Sequence, residues 1–198
     1  MKQTHRKISG GLRLMWIGEC AAAVGMAVET ITLIWAFFEP GIFFLVVPLT
    51  LAMLAGMAMG AAGLWKLRGT HTNYRNALLV LAAVIVCTLL KPREAGRLAS
   101  AISWLTAALG LLEVWLVVRA TNSFLGGTEG EDLRTEGKRA LWAKAITAVI
   151  SLVSSILTGL LLDGTPRLVT HLLVSAAAMI VSEAFYLIYL KHSSEALA

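Results

Sequence analysis

Apolar residues run along this chain in long, nearly unbroken blocks, and the polar positions collect between the blocks instead of alternating with them. Blocks longer than about 18 residues are the signature of helices that cross a bilayer, where each segment must satisfy its own backbone hydrogen bonds. Six can be drawn, over about 12–38, 42–64, 74–90, 98–118, 140–162 and 168–190. Glu39-Pro40-Gly41 ends the first, and Asp163-Gly164-Thr165-Pro166 follows the fifth; both are turn-forming clusters. Pro48 falls near the start of the second block, where a kink is tolerated. The pattern predicts an all-α, polytopic integral membrane helical bundle with six transmembrane helices, a single transmembrane domain over 1–198. The third block is the shortest, and five spans is the alternative if it does not cross. The longest polar stretch, Gly126 to Arg139, reads as a loop, with Thr135 and Glu136 as N-cap and first-turn acid of the fifth helix.

Charge turns the spans into a topology. With the N-terminus inside, the inner segments hold Lys2, Arg6, Lys7, Arg13, Lys66, Arg68, Arg75, Arg119, Arg134, Lys138, Arg139 and Lys191. The outer loops hold Lys91, Arg93, Arg97 and Arg167. Lysine and arginine favour the cytoplasmic side, so this imbalance places both termini in the cytoplasm and the chain in the cell membrane. Trp16, Trp65, Trp115, Trp142, Tyr186 and Tyr189 fall toward the inner boundary, and Trp35, Phe37, Phe38, Phe43, Phe44 and Trp104 toward the outer one, as interfacial belts do. The basic N-terminus resembles a signal peptide only briefly. Its apolar block runs on to Phe38, past the usual 7–15-residue h-region, so the first span is expected to be retained.

Composition agrees. Of 198 residues, 58% are hydrophobic and 15% charged, with a mean hydropathy of +0.76. Soluble domains carry roughly 25% charged residues. The net charge of +5 comes from residues flanking the spans, so it reads as topology and anionic-lipid contact, and no nucleic-acid binding is expected. Similar endings at Leu67-Arg68-Gly69, Val118-Arg119-Ala120 and Leu190-Lys191-His192 hint at three tandem helical hairpins.

The chemistry sits in charges embedded in the apolar blocks: Glu19, Glu29, Glu113, Glu183 and Lys144. An ionised side chain in hydrocarbon is costly, so such residues face a protein or aqueous interior and mark functional sites. Counting along the helices puts Glu19, Glu113, Lys144 and Glu183 in the inner half of the bilayer and Glu29 alone in the outer half. Glu113 and Lys144, at similar depth on successive helices, are expected to pair. Glu19 and Glu183, with Glu29, are then the candidates for binding an ion, a proton or a small solute. Hydrogen bonds from Ser182, Thr30 or Ser175 on neighbouring helices are the structural alternative. Small-residue faces mark helix packing: Ala52, Gly56 and Gly60 on the second helix, Ser151, Ser155 and Gly159 on the fifth, and Ala21 and Gly25, continued by Glu29, on the first. These faces serve packing within the chain, a homo-oligomer or a membrane-protein partner.

No nucleophile–base pair, phosphate loop or HExxH motif is present, so the chain is not expected to be an enzyme. Cys20 and Cys87 have no CxxC spacing and His171 falls near the outer boundary, so no metal or cofactor is expected. The function expected is a small channel or secondary transporter for a cation, proton or small solute. The alternative is a non-transporting scaffold or accessory subunit of a membrane complex.

Overall fold

The computed structural model describes residues 2–36, 39–90, 97–161 and 164–198; within these, side-chain surroundings are described for all but 2, 40, 42–43, 97–100, 127–129, 158–160, 164–165 and 167–168. The Phe37-Phe38 end of the first predicted span and most of the outer loop from Lys91 to Arg97 therefore lie outside the described residues, and the surroundings of Phe43 and Gly159 are not among those described.

Six α-helices account for nearly all of the described chain: α1 (Lys2–Ala36), α2 (Val46–Leu67), α3 (Thr72–Leu90), α4 (Arg97–Asn122), α5 (Gly127–Leu161) and α6 (Gly164–Ala196). Each contains a stretch long and apolar enough to cross a membrane, so the protein is a six-helix multispan membrane protein. The third helix, at 19 residues, spans about 28 Å, close to the hydrocarbon thickness. A 3₁₀ turn over Pro40–Leu45 joins α1 to α2, and Pro48 sits in the first turn of α2, where its missing N–H costs no helical hydrogen bond.

The helices form a closed ring in chain order. Each packs against its neighbours in sequence, and α6 closes the ring on α1. The α1–α2, α3–α4 and α5–α6 hairpins pack most extensively, and the α2–α3 and α4–α5 joints are sparser, which suits the three-hairpin organisation. Large apolar side chains such as Val24, Ile31, Leu51, Leu79, Val149 and Val181 are exposed around the outside, as lipid-facing positions should be.

Glycine lets α1 and α2 touch backbone to backbone. A Cβ on Gly18 would lie 2.5 Å from the Gly60 nitrogen and 2.6 Å from the Gly56 oxygen, and one on Gly56 would lie 2.6 Å from the Ala22 nitrogen. Gly63 is equally tight against Gly11 and Met15, and Gly25 faces Met53. The packing face of α1 thus runs through Gly11, Gly18, Ala22 and Gly25. Ala21 is exposed, and Glu29 joins α2 by a hydrogen bond instead. On α5 the expected face is also shifted. Ser155 is exposed, while Thr147, Ser151 and Ser154 turn inward, because one residue rotates a helix position by about 100°.

The largest departure lies at the basic end. The predicted loop from Gly126 to Arg139 is helical from Gly127 onward, so α5 has 35 residues, α1 also 35 and α6 33. At 1.5 Å per residue these run to about 50 Å, well beyond a ~30 Å hydrocarbon core. Their protruding turns make a core of their own. Ile8, Leu12, Leu67, Leu125, Leu133, Ala140, Leu190 and Leu197 are buried together. Polar links bind it: Tyr74 and Thr121 hydroxyls at 2.8 Å, Tyr189 Oη donating to Asn122 Oδ1 at 3.0 Å, and Ser9 Oγ donating to the Ser194 carbonyl at 2.7 Å. Arg134 caps the α4–α5 turn by donating to the Leu125 carbonyl at 2.6 Å, and His192 meets Glu136 at 3.0 Å. Tyr186 and Tyr189, expected in an interfacial belt, are instead fully buried in this layer. Trp16 packs against the same core, whereas Trp65, Trp115 and Trp142 are exposed near the boundary. Arg68 lies over the Trp65 ring at 3.2 Å, an arrangement that holds a guanidinium at the headgroup level.

Candidate functional site

Closing six helices into a ring leaves a space at its centre. A cavity of about 350 Å³ lies there, lined by side chains from all six helices. The embedded charges meet in it: Glu19 from α1, Glu113 from α4, Lys144 from α5 and Glu183 from α6. Antiparallel neighbours bring these four to one level. Gly18 abuts Gly60 and Ser9 meets Ser194, so α1 runs opposite to both α2 and α6. Thr147 Oγ1 donates to the Ala178 carbonyl at 2.9 Å, which sets α5 against α6 so that Lys144 faces Glu183.

Lys144 makes its ion pair with Glu183, on α6, and not with the expected Glu113. The two carboxylates have comparable depth, but α5 packs more closely on α6 than on α4, and proximity in the ring decides the pair. Lys144 also stands 5.6 Å from the centre of the Tyr186 ring. Glu113 is buried at 8% exposure and lines the cavity without an ion pair of its own among the described residues. Glu19 is half-buried, next to the open side of Gly60, whose absent side chain leaves room for the carboxylate.

Two polar atoms in this wall lack a hydrogen-bond partner among the described residues: Glu183 Oε2 and Tyr186 Oη. A buried polar group without a partner costs about 1–3 kcal/mol, and such groups are rare unless something else satisfies them. Here both belong to residues that line the cavity. Tyr186 escaped the sequence reading because a tyrosine near a span end looks like an interfacial anchor. Its position three residues after Glu183, on the same helical face, was the available signal.

Glu29 stands apart. Its Oε1 accepts a hydrogen bond from Thr50 Oγ1 at 3.0 Å, and it does not line the central cavity. A polar bridge between α1 and α2 accounts for it. Of the other expected donors, Thr30 donates to the Met26 carbonyl and Ser182 to the Met179 carbonyl, both within their own helices, and the buried Ser175 hydroxyl has no partner among the described residues. His171 lies within hydrogen-bond distance of Ser154, at 3.2 Å between α5 and α6. Cys20 and Cys87 are free and half-buried.

The cavity is divided along its length. The charged side chains occupy the end nearer the basic face, together with Tyr186. About one to two turns further in, Met26, Met53, Val84, Ala107 and Met179 line it with apolar surface, beside the hydroxyls of Thr147 and Ser151. That separation corresponds to roughly 6–10 Å. The three glutamates share this space without converging on one point: among the described residues, no group of three His, Cys, Asp or Glu side chains is placed to hold a metal ion. Compared with known proteins, the chain matches no family model, no curated sequence and no solved structure.

Proposed function

We propose that this protein is a small channel or secondary transporter, and that the central cavity is where its positively charged solute or proton resides. One observation carries the reading: three glutamates and one lysine, from four separate helices, meet around a single cavity at the axis of the ring. Lipid-embedded charges at helix interfaces can be structural, but a structural pair is complete with one partner. Here Lys144 accompanies three carboxyl groups, more than its one charge can pair with, which leaves the wall a capacity for a cation or for protons. The imbalance of basic residues orients the charged end of the cavity toward the cytoplasm, with both termini on that side.

The scaffold alternative rests on small-residue faces free to receive a partner. Gly56 is already filled by the backbone of α1, and Gly60 faces Glu19 and the cavity, so those faces speak for packing within the chain. No covalent chemistry enters the proposed role.

Flux through liposomes containing the purified chain tests it. Proton and alkali-cation movement, followed with an internal pH dye and with isotopic sodium and potassium, should exceed that of empty vesicles. Glu19→Gln and Glu113→Gln should each lower it at least tenfold, with Glu29→Gln close to the parent. Equal flux in all of these would sink the glutamate mechanism.

A further inference from the structure

Resting on that reading, we infer that the preferred occupant of the cavity is an amphipathic organic ammonium ion: a protonated amine carrying an apolar body. Four observations of different kinds converge on this class.

The first is charge. Lys144 is the only cationic side chain in the described lining and is engaged by Glu183 Oε1, while Glu19 and Glu113 face the same space. The second is spacing. The carboxylates share the cavity but not a metal-sized focus, so a bare ion cannot satisfy them together, whereas an ammonium group with several N–H donors can reach more than one. The third is a vacancy in the hydrogen bonding. Glu183 is 6% exposed and Tyr186 1%, and the partnerless Oε2 of one and Oη of the other sit in the wall at this charged end. A small rotation of either side chain toward the cavity would let an N–H donor from the guest satisfy the carboxylate oxygen or the lone pairs of the phenol.

The fourth is the opposite end. Calcium takes six to eight oxygen ligands, and magnesium keeps a shell of water. Beyond the charges this cavity offers mainly Met26, Met53, Met57 and Met179, with leucine, valine and alanine, and only the Thr147 and Ser151 side chains as polar exceptions. Methionine is flexible and polarisable, and its side chains mould to apolar guests of varied shape. A hydrated ion gains nothing from such a wall. A hydrocarbon body of about 10 Å, anchored by its ammonium head, buries against it.

The probe is 4-phenylbutylamine, with 4-phenylbutanol as its neutral counterpart, titrated by calorimetry into the full-length protein in lipid nanodiscs. The amine should bind saturably with one site per chain, at least tenfold tighter than the alcohol. Glu19→Gln and Glu113→Gln should each weaken it tenfold or more. Gly110→Leu keeps the test clear of misfolding: Gly110 lines the cavity, and a Cβ there meets nothing within 4 Å. That variant should fold normally and lose the phenylbutylamine site, because its side chain fills the apolar part of the cavity. An amine that binds no better than the alcohol overturns the inference. Glutamate-dependent binding or flux of inorganic cations without amine binding overturns it as well, yet leaves the transport reading standing. Absence of any glutamate-dependent binding or flux overturns both.

Discussion

At the level of single residues, the Lys144–Glu183 pair is the most exposed to test. Breaking a buried ion pair from one side costs about 3–5 kcal/mol because the remaining charge is stranded. Lys144 is only half-buried, so Lys144→Met should fall at the low end, about 3 kcal/mol. The double variant Lys144→Met with Glu183→Met removes one positive and one negative charge and leaves the net charge of the cavity wall unchanged. It should recover most of the loss. Reversible unfolding in mixed micelles, followed by tryptophan fluorescence, measures both; a double variant as unstable as the single one would show that the pair does not account for the effect. The depth of these charges was legible in the sequence, since counting residues from the basic end placed Glu19, Glu113, Lys144 and Glu183 together. Their pairing was not. Depth is one coordinate along a helix, and a partner also depends on which helix lies beside it and on rotation about its axis.

Between elements, glycine sets the distance. Gly18→Ala directs a methyl group at the backbone of α2, which cannot rotate away as a side chain can. Overpacking of this kind costs about 1–3 kcal/mol, and the absence of a yielding side chain argues for the upper part of that range. Gly110→Ala, pointing into open space, should be neutral or should gain up to about 1 kcal/mol from helix propensity. The same unfolding measurement ranks the two; equal effects would contradict the close approach. A GxxxG search found Gly56 and Gly60 at once. Gly25 was read into a face with Ala21 and Glu29, and Gly11 and Gly18 were passed over, because the spacing of seven between these glycines serves two successive contacts on one face and needs no four-residue pair. The extension of α5 was hidden for a different reason. Gly126 to Asp132 has the glycine and acid content of a loop, yet Leu133, Gly137 and Ala140 fall at i, i+4 and i+7, and all three are buried. Gly137 lies against Tyr189 and Val118, contacts that only the assembled bundle supplies.

Across the whole molecule, six crossings require both termini on one side of the membrane. A reporter fused after Ala198 and one fused before Met1 should give the same cytoplasmic signal, and a C-terminal reporter found outside would remove one span. The six-helix architecture could be read from hydropathy alone because lipid admits few solutions for a spanning chain. The central cavity could not, because it is a property of ring closure and no single segment contains it.

The knitted layer at the basic end gives the bundle the mechanics of tweezers joined at the base. Hydrogen bonds and buried side chains tie the helix ends there, whereas the described residues of the opposite half bury little beyond Thr32 and Ser154. Local opening follows the least-packed regions. The tips therefore part more easily than the base, and a guest of the proposed kind would enter mainly from the far side. If the protein transports as proposed, passage through the base would require the tyrosine links to be undone, which would make that end the slow one for movement in either direction.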